Sequence, residues 1–249
     1  MVFILAGLGL NPFEIPIGTL KYIKKADYVF LEGYTSLYPY LPKIIKEKAK
    51  IVDRKFVEEE LENFILKNKD RIIVLLTYGD PLSATTHISL IDFCKRNRIK
   101  YKVIQSSSIF NAIARTGLFL YKFGKAISIS FHYSEVPYDV IKQNKSIDAH
   151  TLILLDLDPF ENKFLTPKEA LERLLEIENR RKENVIDVNE KVIVCQRLGW
   201  KDEKIFYERI KDFLKIKWEK PPWCIVIPSN LNPIEREFLE NVRSPLREI

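Results

Sequence analysis

The sequence predicts an α/β protein in two parts, a mostly parallel sheet with flanking helices over residues 1–116 and an α/β domain with a mixed sheet over 117–249. Three observations predict it. Apolar runs of strand length alternate with longer amphipathic stretches through the first half, which is the rhythm of βαβ units. Those runs lack polar alternation, as strands of a parallel sheet covered on both faces do. In the second half the apolar runs follow one another with fewer helical stretches between them, which points to a mixed sheet. With 249 residues, 46% of them hydrophobic, the chain can build one large core or two ordinary ones.

The elements follow in order. Strands are expected at Val2–Leu8, Tyr28–Leu31, Arg71–Thr77 and Tyr101–Ile104, all rich in Val, Ile, Leu and aromatics. Between them, Ile17–Lys25, Val57–Asn68 and Ala84–Asn97 each carry an apolar stripe opposite charges and read as helices packed on the sheet. The stretch Thr116–Lys125, with Gly117 and Gly124, is the expected boundary. Beyond it, Ala126–Phe131, Thr151–Leu157, Lys191–Leu198, Lys204–Phe206 and Trp223–Ile227 are expected strands. Two helices are signed at their starts by Thr166-Pro167-Lys168-Glu169 and Asn232-Pro233-Ile234-Glu235. In each, the first side chain accepts from the amide three residues on, Pro sits where its missing N–H costs nothing, and Glu reaches back.

Charge and cysteines narrow the function. Forty Lys+Arg against thirty-four Asp+Glu leave a formal +6 spread along the chain, which suits an acidic partner surface. An RNA-binding protein would need a clustered basic face with interleaved aromatics, so no direct nucleic-acid partner is expected. Cys94, Cys195 and Cys224 form no CxxC pair and are odd in number, which favours a reduced, cytoplasmic setting. The opening apolar run has no basic start and no stretch reaches membrane-spanning length, so no membrane partner is expected.

Three polar loops follow strong strands. Gly7-Leu8-Gly9-Leu10-Asn11-Pro12 puts glycines where an open α/β sheet receives its ligand. Pro12-Phe13 replaces the third glycine of a dinucleotide fingerprint and disfavours NAD. Tyr78-Gly79-Asp80-Pro81-Leu82-Ser83-Ala84-Thr85-Thr86-His87 offers a carboxylate, Asp80, suited to an ammonium or a ribose hydroxyl. Ser106-Ser107-Ser108-Ile109 adds hydroxyls and helix-start amides. Together they suit a small ligand with amino and carboxyl ends. His87, His132 and His150 lack metal-ligand spacing, and no metal is expected. His87 lies beside the crevice as a candidate for a direct role, while His132 reads as a loop residue and His150 as structural. There is neither a GxSxG elbow nor a P-loop.

Taken in order, these residues resemble the diphthine synthase family, within the tetrapyrrole methylase group of S-adenosylmethionine-dependent methyltransferases. The resemblance runs through Ala6–Leu10, Tyr34-Thr35-Ser36, Gly79-Asp80-Pro81 with Ala84-Thr85-Thr86-His87, and Ser108-Ile109. It continues through Tyr121–Lys125, Pro137–Ile141 with Asn144, His150–Asp156, Leu165-Thr166-Pro167, Arg197 with Gly199, and Pro221-Pro222. The sequence departs from the family pattern at Tyr78, at Gln196–Gly199 and at Trp223. The resemblance implies a two-domain tetrapyrrole methylase-like fold with S-adenosyl-L-methionine in the cleft between the domains, and a homodimer. It implies cofactor contacts at Leu10, Asp80, Ser83, Ser108, Ile109, Leu155, Leu198 and Trp223. It implies methylation of the amino group of a 3-amino-3-carboxypropyl-histidine on translation elongation factor 2, yielding diphthine and S-adenosyl-L-homocysteine, with no residue assigned as the catalytic base. The alternatives are a corrinoid or porphyrin-precursor C-methyltransferase and a noncatalytic module that senses the same cofactor.

Overall fold

The computed structural model describes residues 2–242; Met1 and residues 243–249, the outer ends of the two expected domains, lie outside the described residues. The chain forms two compact units, one running to Ala112 and including Asp158–Glu161, the other made of the remainder.

In the first unit β1 (Val2–Gly7), α1 (Ile17–Lys25), β2 (Tyr28–Glu32), α2 (Lys43–Lys48) and β3 (Ala49–Val52) come first. A π-helical turn at Phe56–Glu60 then leads into α3 (Leu61–Lys67), β4 (Ile72–Thr77), α4 (Ile88–Arg96), β5 (Tyr101–Ile104) and the one-turn α5 (Ile109–Ala112). The sheet order is β3-β2-β4-β1-β5 with every neighbour parallel. Alternation splits its buried residues between two cores. Phe3, Leu5, Ile73 and Leu75 face one side with Leu90, Ile91 and Cys94 of α4. Ile4, Ala6, Val74 and Leu76 face the other with Ile23 of α1. The chain therefore leaves the adjacent strands β1 and β4 toward opposite faces of the sheet. Such a reversal opens a crevice beyond the carboxyl ends of those two strands.

The second unit contains β6 (Ile127–Ile129), α6 (Val136–Ser146), β7 (Thr151–Leu155) and the short strands β8 (Leu157–Asp158), whose Asp158 belongs to the first unit, and β9 (Lys163–Phe164). It continues with α7 (Pro167–Arg181), β10 (Lys191–Gln196), β11 (Lys204–Arg209), α8 (Ile210–Phe213), β12 (Trp223–Ile227) and α9 (Pro233–Glu240). Its main sheet is β11-β10-β12-β7-β6, mixed as expected, with β6 parallel to β7 and the other pairs antiparallel. One face packs Ile153, Leu155, Val192, Val194, Ile225 and Ile227 against Leu171, Leu174 and Ile177 of α7. Both anticipated capping boxes are present, Thr166 with Glu169 and Asn232 with Glu235. All three cysteines are free and buried, with Cys195 and Cys224 directly opposed across β10 and β12.

The helix expected from Ala84 begins later, at Ile88. Ala84 has φ +56°, a left-handed conformation that no helix can pass through, so 81–87 is a compacted turn.

Candidate functional site

In the first unit the three polar loops are fastened to one another by hydrogen bonds. Gly9 and Gly79, both at φ +71°, exchange backbone bonds, the Gly79 N–H reaching the Gly9 carbonyl at 2.9 Å and the return bond at 3.2 Å. Side chains are poorly tolerated at that backbone conformation, which accounts for glycine at both positions. Close approach accounts for a third: a Cβ on Gly7 would lie 2.5 Å from the Gly79 carbonyl oxygen.

Asp80 is buried and engages both of its oxygens. Oδ1 accepts from the Leu82 N–H (2.9 Å) and the Ser83 hydroxyl (3.1 Å), and Oδ2 accepts from the Ser106 N–H (3.0 Å). It is thus the tie between the loops after β4 and β5. Glu14 plays the same part between the loops after β1 and β5. Its Oε2 accepts from the Leu10 N–H at 3.1 Å and from the Ser107 hydroxyl, and its carbonyl accepts from the Ser106 hydroxyl at 3.2 Å. Ser107 Oγ also accepts from the Leu10 N–H at 3.1 Å. Sequence reasoning missed Glu14, although Asn11-Pro12-Phe13-Glu14 repeats the spacing of the two capping boxes and was a readable signal.

The expected helix-start amides after β5 are already occupied. The Ser108 N–H donates to Asn111 Oδ1 at 2.7 Å and the Phe110 N–H to Ser108 Oγ at 3.3 Å, and α5 is a single turn. Leu10, Ser83 and Ile109 are half-buried around the loops, whereas Asp80 and Ser108 are buried. Behind the loops, Tyr38 stacks on Tyr78 with ring centroids 5.2 Å apart, and its hydroxyl donates to the Leu8 carbonyl at 2.8 Å. Burial raises the Tyr78 phenol to about 12, so it stays protonated.

The second unit brings its three sequence-predicted residues to one end of its sheet. Leu155 ends β7, Trp223 begins the antiparallel β12, and Leu198 lies just beyond β10; all three are buried. Arg197, at φ +51°, fixes this end, its N–H donating to the Pro222 carbonyl (2.9 Å) and its Nε to that of Pro221 (3.0 Å). Trp223 Nε1 donates to Gln196 Oε1 at 3.4 Å.

The buried histidines are both paired with glutamates. His150 Nε2 lies 3.1 Å from Glu235 Oε1, and its Nδ1 accepts from the Ser229 N–H at 2.9 Å, so the ring is neutral. Burial is the main cause of its pKa falling below 6.5. Because the folded value is depressed, the stability this ring contributes is complete above about pH 6.5 and is lost as pH falls through the folded pKa. In thermal melts from pH 8 to 5, the gap in melting temperature between wild type and His150→Asn is expected to narrow as pH falls, because that difference isolates the His150 contribution. His87 is held differently, with Nδ1 3.2 Å from the Pro81 carbonyl and Nε2 2.8 Å from Glu32 Oε2. His132 lies in a loop, where its carbonyl accepts from the Ser130 hydroxyl at 2.9 Å.

The family model "Tetrapyrrole (Corrin/Porphyrin) Methylases" matches residues 2–214. A diphthine synthase of Methanococcus aeolicus is 39% identical, covering 96% of this chain and 97% of its own. That of Methanocaldococcus jannaschii is also 39% identical, over 96% of this chain and 98% of its own. A crystal structure of a diphthine synthase superposes with a TM-score of 0.88 at 31% identity, covering 99% of this chain and 98% of the other. The chain belongs to the tetrapyrrole methylase family and, within it, to the diphthine synthases.

Proposed function

We infer that this chain is an S-adenosyl-L-methionine-dependent methyltransferase of diphthamide biosynthesis. Its acceptor is the amino nitrogen of a 3-amino-3-carboxypropyl-histidine on translation elongation factor 2, and its products are diphthine and S-adenosyl-L-homocysteine. The observation that carries this reading is the similarity to diphthine synthases over almost the whole chain. A corrinoid or porphyrin-precursor methyltransferase would share the wider family but not that likeness.

The residues present fit the cofactor. Gly79 leaves its loop bare, since a Cβ there would meet nothing nearer than 3.7 Å. Leu10 and Ser108 lie nearest to it and Ser83 is tied to the adjoining Asp80, and with Ile109, next to Ser108 in the chain, these loops offer a mixture of residues suited to a ligand with charged, hydroxylated and apolar parts. We assign cofactor contacts to these five residues and to Leu155, Leu198 and Trp223. When bound, the cofactor supplies a methyl group already activated on a sulfonium.

What remains for the protein is to hold the reacting partners in a near-attack arrangement. The acceptor amine must be neutral; an α-amino group titrates at about 7.7–8.0 in water, and desolvation lowers that value. His87 is not placed to take its proton, because both ring nitrogens are engaged, by Pro81 and by Glu32. We therefore assign no catalytic base. The reading carries with it a cytoplasmic homodimer with no direct nucleic-acid or membrane partner. The formal +6 would steer it toward an acidic face of the factor, so kcat/KM for the factor should fall as salt rises while KM for the cofactor holds.

Mass spectrometry of elongation factor 2 bearing the precursor, before and after incubation with enzyme and cofactor, tests the function. Added methyl groups on the modified histidine are expected. An unchanged factor, together with methylation of a corrinoid or porphyrin precursor, would replace this reading with the other.

A further inference from the structure

Two buried histidine–glutamate pairs have opposite hydrogen-bond patterns. At His150 one ring nitrogen accepts a backbone N–H, which fixes a neutral ring. Among the described residues, neither ring nitrogen of His87 has a donor facing it. Nδ1 faces the Pro81 carbonyl, which only accepts, so Nδ1 carries a proton. Nε2 lies 2.8 Å from Glu32 Oε2 in an ion-pair contact that is not an in-line hydrogen bond, and at that distance the two atoms cannot both present bare lone pairs, so the pair holds one further proton. The other oxygen of Glu32 accepts from the Thr35 hydroxyl, which favours the carboxylate, so that proton belongs to the ring. The side chains of His87 and Glu32 are 3% and 0% exposed, which makes this an ion pair withdrawn from water.

The pair joins two separate segments. Glu32 is the last residue of β2, and its Oε1 accepts from the Thr35 hydroxyl at 2.5 Å, which fastens the turn after β2. His87 closes the turn after β4: its ring holds the Pro81 carbonyl, which also accepts from the Thr85 hydroxyl at 2.6 Å. Between those two anchors lies Ser83, one of the assigned cofactor contacts. Ala84 is left-handed within the same turn, so the turn has no helical ladder of its own and depends on such ties.

We propose that Glu32 and His87 are positioning residues, a buried imidazolium–carboxylate pair that holds the 81–87 turn against the end of β2 and so sets Ser83 and Asp80 for the cofactor. The proposal rests on the cofactor reading above and adds two residues to it. Glu32 was not legible from the sequence as a site residue, because a Glu closing the apolar run Tyr28–Leu31 reads as a strand end in solvent.

The charges around the pair agree with a cationic ring. Burial alone depresses the His87 pKa, but the adjacent Glu32 carboxylate, with the Pro81 carbonyl and Glu58 of the π-helical turn, outweighs it and leaves a net rise above 6.5. Tyr34 and Tyr78 also face Glu32, and burial together with that charge raises both phenols, so both stay neutral. Arg54 sits over the Tyr34 ring at 5.1 Å. The linkage is opposite to that of His150: a raised folded pKa gives a contribution that is complete below about pH 6.5 and lost as pH rises through the folded value.

The test has two parts on the full-length enzyme. First, nitrogen-15 NMR of the free wild-type enzyme at pH 6.0 reads the His87 ring directly, assigned by its disappearance in His87→Ala. Two protonated ring nitrogens are expected, and one bare nitrogen would overturn the ion pair whatever the enzyme binds. Second, cofactor titration and initial rates are measured on Glu32→Ala, His87→Ala and Glu32→Gln. Either alanine variant is expected to weaken cofactor binding about tenfold or more, with kcat at saturating cofactor within about threefold of wild type. Glu32→Gln recovers most of that loss, because its amide can donate to a neutral His87 Nε2 while its oxygen still accepts from Thr35; it also serves if an alanine variant does not fold. Normal affinity in folded alanine variants, or a Glu32→Gln loss as large as that of Glu32→Ala, would overturn the positioning role. Collapse of kcat at unchanged affinity would overturn it too, in favour of a catalytic group. A wild-type enzyme that shows the imidazolium but binds no cofactor would instead overturn the cofactor reading, and with it the purpose of the pair.

Discussion

Gly7→Ala is expected to abolish high-affinity cofactor binding while costing only part of the stability. The added Cβ would lie 2.5 Å from the Gly79 carbonyl oxygen, 2.9 Å from Ser106 Cβ and 3.1 Å from Pro81 Cδ, so it presses on all three loop systems at once. Backbone supplies the nearest of those contacts and cannot rotate aside. Overpacking of this kind costs about 1–3 kcal/mol, and about 2–4 °C of melting temperature per kcal/mol for a chain of this length. The larger effect falls on function, because the atom that must retreat is the acceptor in the Gly9–Gly79 bridge. Cofactor affinity should fall by well over tenfold. Gly18→Ala is the matched control: it lies in α1, its Cβ would come no nearer than 3.6 Å to Ile104, and replacing a helical Gly with Ala is expected to gain about 0.5–1 kcal/mol. Calorimetric titration and melts of both variants decide the matter, and a Gly7→Ala enzyme that binds like wild type would remove the glycine bridge from the site.

Much of this site was readable because its frame is made of local signals. Buried parallel strands announce themselves as apolar runs; β1 and β4 lie within such runs, β2 runs one residue past its own to Glu32, and β5 matches its expected bounds although it is less buried. Capping boxes are written within four residues, so the starts of α7 and α9 were placed to the residue. What escaped depends on partners distant in the chain or on weak patterns. The edge strand β3, Ala49–Val52, has Lys50 and Ile51 exposed and directly continues the lysine-rich α2, so nothing in its composition separates the two. Helix α6 was quoted only as a motif, because Pro137 at its start and its polar last turn blur an apolar stripe that buries Tyr138, Val140 and Ile141. Glu14, despite its local capping-box spacing, and Glu32 share one difficulty. A carboxylate near a loop is ordinarily solvated, and only the fold brings Ser107 to the first and His87 to the second.

Asp80→Asn should separate two ways in which a carboxylate can serve a ligand. The substitution keeps size and shape but replaces one acceptor with a donor. With its oxygen toward Leu82 and Ser83, the new amide group would face the Ser106 N–H, donor against donor; turned over, it would face the Leu82 N–H instead. Either way one buried donor is left without a partner, at about 1–3 kcal/mol. Ser106 would then drift, and with it Ser107, whose hydroxyl accepts from the Leu10 N–H, so Leu10, Ser83 and Ser108 lose their common register. The expected result is a fall of about tenfold or more in affinity for S-adenosyl-L-methionine, and a comparable fall for adenosine, which carries no ammonium. If Asp80 acted only by pairing with the ammonium of the ligand, adenosine binding would be unchanged while cofactor binding fell. Both oxygens are already filled by protein donors, which is why the loop-tying role is expected to win. Unchanged affinity for both ligands in a calorimetric titration would take Asp80 out of the site altogether.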